Sequence, residues 1–216
     1  MNPIELTLEQ KQRAFSELRD IKKTLADRGW FPGTSGNLSI RAGEHDKDNG
    51  RFAFAITSSG KDKSVHTPED FLLVNEAGKP IEPTALKPSA ETLIHCELYR
   101  LTGCGAILHV HTVFNNVISE WFADRGSIPV EGVELIKAFN IWQEEAVIDI
   151  PILPNYTDIP RIAALVEGSL NPAIPGIVLR KHGIYAWGAN AFEAKRHLEA
   201  FEFLFEYVYR LELLKR

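Results

Sequence analysis

The feature that most constrains the fold of this chain is a pair of histidines at the end of a short apolar run. Residues 105–108 (Gly-Ala-Ile-Leu) lead directly into His109, Val110 and His111. If this run is a β-strand, side chains alternate between its faces, so both imidazoles lie on one face and reach the same metal ion. A third imidazole, for which His182 is the candidate, completes a catalytic zinc shell with one open position. A His-x-His pair alone is more often a half-exposed strand than a metal site, so other segments are needed to decide.

Size and charge limit the class of protein. With 216 residues and 44% hydrophobic content, the chain is long enough for one sizeable core, and even composition predicts a single domain over residues 1–216. A net charge of -5 argues against a nucleic-acid partner or an anionic membrane, both of which require a basic face. A local basic pocket for a phosphorylated small molecule remains compatible with this charge.

Segments for targeting or membrane insertion are not predicted. The sequence has no run of 18 apolar residues, and its first residues lack the basic and apolar regions of a signal peptide. Cys96 and Cys104 are too few for a disulfide framework and lack the Cys-x-x-Cys spacing of a zinc pair, so we interpret them as packing residues. We therefore expect a cytoplasmic protein.

Helical patterns occur at both ends of the chain, and strand patterns dominate the middle. Such a mixed order, with helices for both faces of a sheet, predicts a three-layer α/β architecture. The first helix is predicted to start at a capping box at Thr7 and to end at Gly29, and Asn190 is predicted to cap the last helix. The other predicted segments are helices over 88–102, 131–139 and 159–170, strands over 38–41, 52–57, 146–152, 177–180 and 184–187, and a hairpin turn over 44–50.

Three loops rich in Gly, Ser and Thr are candidates for binding an anion. Residues 33–39 follow a helix rather than opening one, so they are not a dinucleotide fingerprint. Residues 57–62 resemble a P-loop but lack its first Gly and its final Ser or Thr. Exposed backbone N–H groups in such loops form anion-binding concavities, and Ser89, at the predicted start of a helix, adds the helix dipole. Each loop alone is more typical of an ordinary turn.

Two carboxylates are candidates for general acid/base catalysis. Glu91 is predicted in the first turn of the helix that Ser89 opens, where an acid also simply complements the helix dipole. Glu134 lies three residues before Lys137, a spacing that is also typical of a solvated ion pair. Either carboxylate, placed beside a metal ion that polarises a ketone, would act as the acid/base.

Taken in order, the motifs resemble the class II aldolase/adducin family, and the similarity covers roughly residues 8–210. The joint pattern is much more specific than any of its parts and favours the metal-site interpretation of the two histidines. The motifs are Gly33-Thr34-Ser35-Gly36-Asn37, Ser58-Ser59-Gly60, Lys87-Pro88-Ser89-Ala90-Glu91, His109-Val110-His111-Thr112 and Lys181-His182-Gly183.

The resemblance implies a fold, a cofactor and an assembly. The implied fold is a three-layer α-β-α domain with a central mixed, largely antiparallel sheet. The implied assembly is a homotetramer with active sites near subunit interfaces. One Zn²⁺ per subunit would be held by His109, His111 and His182. A sugar-phosphate substrate would be held at its phosphate by Asn37, Ser59, Gly60 and Ser89, with Lys63 as a weaker candidate.

Within the family, the segments 134–137, 150–155 and 182–188 are most similar to the dehydratases of methionine salvage. This similarity implies zinc-dependent dehydration of a 5-methylthio ketose 1-phosphate to a 2,3-diketone, with the acid/base at Glu134. Glu91 stands instead at the acid/base position of the sugar-phosphate aldolases. A zinc aldolase or 4-epimerase of another sugar phosphate is therefore an open alternative. A non-catalytic scaffold like the adducin head domain is a more distant one, because that interpretation expects the histidines to be lost.

Overall fold

The central element is an eight-stranded sheet with helices on both faces, as the predicted α/β class requires. The computed structural model describes residues 5–46 and 49–215. The strand order is β3-β2-β1-β4-β8-β7-β6-β5, and every neighbouring pair is antiparallel except β6 and β7. The strands are β1 (Asn37–Asp46), β2 (Arg51–Thr57), β3 (Phe71–Asn75), β4 (Ala106–Val110), β5 (Ser127–Glu131), β6 (Val147–Leu153), β7 (Gly176–Leu179) and β8 (Gly183–Gly188).

Five α-helices form the outer layers, and the apolar core divides into one cluster on each side of the sheet. The helices are α1 (Leu8–Asp27), α2 (Thr92–Thr102), α3 (Val113–Trp121), α4 (Ile159–Ser169) and α5 (Ala191–Leu214). One cluster joins α1, α3 and α5 to one sheet face, and the other joins α2 and α4 to the opposite face. The three-layer, largely antiparallel architecture is therefore confirmed.

The long terminal helices begin and end where their sequence signals predict. Thr7 and Gln10 form the capping box of α1, and Gly29, with φ +72°, follows the C-terminal cap of this helix. Asn190 caps α5 by accepting a hydrogen bond from the backbone N–H of Glu193 at 2.9 Å. The apolar stripe of α5 is buried at Leu198, Phe201, Phe205 and Val208, so it belongs to the core of this chain.

The middle of the chain departs from the predictions in several places. β1 continues to Asp46, beyond its predicted end at residue 41, because its outer half still pairs with β2. Positions 47–48 of the predicted hairpin turn lie outside the described residues. The helix predicted over 131–139 was wrong: 131 ends β5, and only Glu134–Phe139 are helical, as a 3₁₀ helix. β3 and α3 were not predicted, because each is too short for its periodicity to stand out.

The helix predicted to open at Pro88 starts later, at Thr92. Ser89 therefore lies in the preceding turn rather than in the first helical turn, and Glu91 is the N-cap residue, without a side-chain capping bond. Leu93 in the first turn of this helix is 38% exposed, whereas Cys96 and Leu98 further along are buried. Cys96 and Cys104 are buried free thiols, which confirms their interpretation as packing residues.

In the described part of the chain, we find no helix whose length and hydrophobicity would let it cross a lipid bilayer.

Candidate active site

The three predicted metal-binding histidines meet at one point of the structure. His109, His111 and His182 each direct a ring nitrogen to this point, and these nitrogens all lie within 4.8 Å of one another. The Nε2 atoms of His109 and His111 are 2.9 Å apart. His109 is fully buried, whereas the other two are partly accessible. Three imidazoles with one accessible side are the donor set of a catalytic zinc site.

Strand pairing brings the distant histidine to the His-x-His pair. β4 and β8 are antiparallel neighbours, with His109 opposite Tyr185 and Val110 opposite Ile184. This register places the turn before β8, which carries His182, beside the end of β4. The ring of Tyr185 stacks on His109 with centroids 3.9 Å apart, so the register also fixes the plane of the buried imidazole.

Backbone and amide oxygens leave the inward-facing nitrogens available as ligands. Nδ1 of His109 lies 2.9 Å from the carbonyl oxygen of Ile184, and Nδ1 of His182 lies 3.2 Å from Oδ1 of Asn155. Each oxygen is an acceptor only, so each Nδ1 donates to it, and Nε2 is the ring nitrogen that faces the cluster. Burial and the neighbouring His109 lower the pKa of His111 to about 3 and that of His182 to about 4. Both therefore stay neutral at physiological pH, which is the form that binds metal.

Glu91 is the carboxylate that the structure places at the histidine cluster. Its Oε2 lies 3.2 Å from Nε2 of His109 and accepts a hydrogen bond from Nδ2 of Asn37 at 2.6 Å. Its Oε1 lies 3.2 Å from Nε2 of His182. Burial alone would raise the pKa of Glu91, but the two imidazoles and the Asn37 amide outweigh burial and hold it well below its usual range.

A buried chain of hydrogen bonds supports Asn37 from behind. Nε2 of His95 donates to Oδ1 of Asn37, while Nδ1 of His95 contacts the Ser39 hydroxyl at 2.7 Å. The same hydroxyl contacts the phenol of Tyr99 at 2.8 Å. Burial lowers the pKa of His95 to about 3, so this ring is neutral. The Asn37 amide is thereby held with its NH₂ group towards Glu91.

Two of the loops predicted to bind phosphate lie side by side. The backbone N–H of Ser59 donates to the carbonyl of Lys87 at 2.9 Å, and that of Ser89 donates to the carbonyl of Thr57 at 3.2 Å. Ser59 and Gly60 are exposed and Ser89 is partly exposed, so these loops are open to a ligand. Asn37 begins the adjacent strand β1, and its amide nitrogen donates to Glu91.

Lys63 is a buried cation next to this group. Its ammonium donates to the carbonyl of Thr34 at 2.9 Å and lies 5.8 Å from the ring centre of Phe31. Burial and the charge of Lys22 lower its pKa to about 8, while Asp62 and Glu91 act in the opposite direction. No salt bridge to Lys63 is found among residues 5–46 and 49–215. An anion at the neighbouring loops would compensate this charge.

Glu134, the second predicted acid/base, is not at the cluster in the single chain. Its side chain is 82% exposed and pairs with Lys137 at 2.9 Å. It lines a separate cleft of about 220 Å³ formed by residues 132–146. The next residue, Leu135, does border the histidines: it lines a cavity of about 700 Å³ that also contains His111 and Trp30. A second cavity, of about 570 Å³, opens between His111 and His182 and includes Asn155.

Sequence analysis missed the residues that hold the cluster from behind. His95, Tyr185 and Asn116 contact either a predicted site residue or the backbone of one. His95 lies four residues after Glu91, and this spacing was the one local signal available. The other contacts depend on pairings between segments far apart in the chain, which no local pattern encodes.

Several curated relatives about 50% identical to this chain are methylthioribulose-1-phosphate dehydratases. A methylthioribulose-1-phosphate dehydratase from Persephonella marina is 50% identical over 213 residues, which cover 99% of this chain and 97% of that protein. The protein of the same name from Bacillus subtilis is 49% identical over 206 residues, with 95% and 96% covered. The chain therefore aligns with these relatives over nearly their full length.

Solved structures extend the comparison. The L-fuculose-1-phosphate aldolase from Thermus thermophilus is 25% identical, with a TM-score of 0.69 and coverage of 94% of this chain and 97% of that one. YgbL from Escherichia coli has a TM-score of 0.74 at 24% identity, with 95% and 91% covered, and supports the fold alone. Residues 16–209 match the family described as Class II Aldolase and Adducin N-terminal domain, so the chain belongs to this typically metal-dependent family.

Proposed function

We propose that this protein is a zinc-dependent dehydratase that converts 5-methylthioribulose 1-phosphate to 2,3-diketo-5-methylthiopentyl 1-phosphate in methionine salvage. The observation that carries the proposal is the convergence of His109, His111 and His182 in a chain about 50% identical to dehydratases of this substrate. A scaffold role would not require three converging imidazoles with their lone pairs directed to one point. The buried thiols fit a reducing cytoplasm, and the continuous sheet fits one domain.

Zinc fits the residues present at the cluster. Neutral imidazoles are the usual ligands of Zn²⁺, and three of them leave an open position on the side of the cavity between His111 and His182. When bound there, zinc supplies Lewis-acid polarisation of the substrate's carbonyl group. Asn155 and the Ile184 carbonyl fix which nitrogen of their histidine faces inwards.

Phosphate recognition falls to the loops beside Glu91. The backbone N–H of Gly60 and the hydroxyls of Ser59 and Ser89 offer donors at an accessible surface, and Asn37 has one amide hydrogen besides the one that bonds Glu91. Lys63 supplies a buried positive charge. The phosphate at C1 would thereby orient C2 and C3 towards the histidines.

We assign the proton transfers to Glu134, which would act in the site of a neighbouring subunit. Glu134 removes the proton from C3 and returns it to the C4 hydroxyl, which leaves as water; the remaining enol tautomerises to the 2,3-diketone. Since Glu134 is exposed and only the next residue, Leu135, borders the His111 cavity, its carboxylate is available to a second chain. The proposed assembly is a homotetramer.

Exposed apolar side chains beside the His111 cavity support such an assembly. Val113 on α3 is 74% exposed and Phe203 on α5 is 54% exposed, and both line this cavity. Trp121, further along α3, is 49% exposed. A surface of this kind rimmed by charged residues is typical of subunit contacts. Light scattering of the purified protein should give four times the 24.3 kDa chain mass.

A second candidate function is aldol cleavage or epimerisation of another short sugar phosphate. The position of Glu91 favours it, because Glu91 is the carboxylate that lies within 3.2 Å of ring nitrogens of two of the histidines in the single chain. Against it, both oxygens of Glu91 already face imidazoles, and its Oε2 also accepts from Asn37. The two functions differ in the base, so variants of the two acids separate them.

The test is turnover of 5-methylthioribulose 1-phosphate, followed as diketone formation, by zinc-loaded protein and by a chelator-treated control. We expect zinc-dependent turnover, and Glu134→Gln should lower kcat by about 10²–10⁴-fold with zinc content unchanged. Glu131→Gln, a nearby exposed carboxylate at the end of β5, is the matched control and should keep the wild-type kcat.

Two outcomes would contradict the proposal. Near-normal kcat in Glu134→Gln together with a loss in Glu91→Gln would transfer the acid/base role to Glu91. Zinc-loaded protein that forms no diketone but cleaves another sugar phosphate to an aldehyde would establish the aldolase instead.

A further inference from the structure

One buried carboxylate lies outside the candidate active site. Glu202, on α5, is 6% exposed. Its Oε2 accepts a hydrogen bond from the Thr112 hydroxyl at 2.6 Å, and its Oε1 accepts one from Nδ2 of Asn115 at 2.8 Å. No ion pair of Glu202 is found in the part of the chain that the structure describes. Both carboxylate oxygens are therefore committed to the start of α3.

Burying this group is unfavourable by itself. A carboxylate without a cation loses its hydration and gains only hydrogen bonds in return. Burial accordingly raises the pKa of Glu202 to about 7. Filling the space between α3 and α5 would need only an apolar side chain, so the two acceptor oxygens are the property of Glu202 that requires explanation.

The residues that Glu202 holds form the first turn of α3, directly after His111. Thr112 is the N-cap: its hydroxyl accepts from the backbone N–H of Asn115 at 3.1 Å, and Oδ1 of Asn115 accepts from the backbone N–H of Thr112 at 3.2 Å. Nδ2 of Asn115 also lies 3.3 Å from the carbonyl of Val110, the residue between the two β4 histidines. Glu202 therefore fixes the backbone on both sides of His111.

The same turn reaches the third histidine. Nδ2 of Asn116 donates to the backbone carbonyl of His182 at 2.8 Å. It also lies 3.0 Å from Oδ1 of Asn115. A continuous path of hydrogen bonds thus runs from Glu202 through Asn115 and Asn116 to the turn that carries His182. The first turn of α3 connects the two separate segments that supply the imidazoles.

We propose that Glu202 is a positioning residue that sets the distance between His111 and His182 through the first turn of α3. It touches neither substrate nor metal. Partners beyond the ligands themselves fix the orientation of metal-binding histidines, and their loss typically lowers metal affinity by about 10–100-fold. This inference rests on the proposed metal site and adds a residue that acts at a distance from it.

The test is titration of the protein with Co²⁺, whose visible spectrum reports ligand geometry without turnover. We expect Glu202→Ala to bind Co²⁺ about 10–100-fold more weakly than wild type, with a shifted spectrum. Glu202→Gln, which keeps one acceptor, should lose less. Glu206→Ala is the matched control. Glu206 lies one turn later on α5, lines the His111 cavity as Glu202 does, and pairs with the exposed Arg210. It should behave as wild type.

A second variant covers the case in which Glu202→Ala does not fold, as judged by circular dichroism. Asn116→Ala leaves the Glu202 contacts in place and removes the bond to the His182 carbonyl, so it too should weaken Co²⁺ binding. Wild-type affinity and spectrum in the folded variants would overturn the positioning role. Failure of the wild-type protein itself to bind Co²⁺ would refute the metal site, and with it the proposed function, so the two failures are distinct.

Discussion

Gly183→Ala tests the geometry of the metal site with one added methyl group. A Cβ atom at Gly183 would lie 2.4 Å from the carbonyl oxygen of Val110, 2.7 Å from Cδ2 of His111 and 2.8 Å from Cε1 of His109. The φ angle of Gly183 is outside the left-handed region, so an alanine fits the backbone itself. The conflict is purely steric, and it falls on the Val110 carbonyl and on the two β4 histidines that flank it.

The expected loss follows from the cost of overpacking. Inserting a methyl group into a packed interior typically costs about 1–3 kcal/mol. The Val110 carbonyl belongs to the backbone, so part of this cost falls on stability. The two rings can move away when no ion holds them, but they cannot do so and still ligate zinc, so the other part falls on binding. Since each 1.4 kcal/mol is tenfold, we expect Zn²⁺ or Co²⁺ to bind about 5–150-fold more weakly.

Gly176→Ala provides a matched control on the neighbouring strand. Its Cβ would lie 2.4 Å from Cε2 and 2.5 Å from Cζ of Phe201, in the core beneath α5 and away from the histidines. Both variants should therefore be less stable to urea, and only Gly183→Ala should bind metal more weakly. Equal metal affinity in Gly183→Ala and wild type, with similar loss of stability in both variants, would refute the assigned ligand geometry.

Three further predictions concern stability, each measured by urea unfolding. Burial raises the pKa of Glu202 from 4.5 to about 7, so the folded state holds this proton more tightly than the unfolded state does. The free energy of unfolding should therefore fall by about 3 kcal/mol as pH rises from 4 to 8. An unchanged pH dependence in Glu202→Gln would contradict this. Asp70→Asn removes one partner of the buried ion pair in which Nζ of Lys22 lies 2.6 Å from Oδ2 of Asp70. It should lower the free energy of unfolding by about 3–5 kcal/mol. A loss below ~1 kcal/mol, which is typical of a surface pair, would contradict the buried pairing. Gly168→Ala, at a helical position of α4 with open space around it, should stabilise the protein by up to about 1 kcal/mol, and destabilisation would contradict the helical assignment.

The fold was predictable where the signal is local and repeated. The N-caps and apolar stripes of α1 and α5 involve residues three or four apart, so the sequence alone locates both helices. β7 and β8 stand on either side of a short turn and were predicted for the same reason. The prediction of a helix over 131–139 was wrong for two reasons. Gly132, with φ +64°, interrupts the helical backbone, and the residues before it pair with β6 as strand β5.

The candidate site was predictable as a set of residue types but not as an arrangement. The spacing of His109 and His111 follows from strand alternation, and the contact with His182 follows from the pairing of β4 with β8, which family resemblance implied. Glu202 has no such signal. It is one acid in a helix with several acids, and its burial is decided by the packing of α3, an element too short to be predicted.

The two acids illustrate why burial and catalytic role are separate questions. Glu91 is held on three sides by His109, His182 and Asn37, which makes it an effective partner of the cluster but leaves its oxygens little freedom to move a proton. A general base has to reach a substrate proton at hydrogen-bond distance and release it again. Glu134, exposed and paired with Lys137, would have that freedom if a neighbouring chain supplied the histidines, as we propose. In the proposed assembly the active site is complete only between subunits, because the element that would hold the metal and the element that would move the proton belong to different chains.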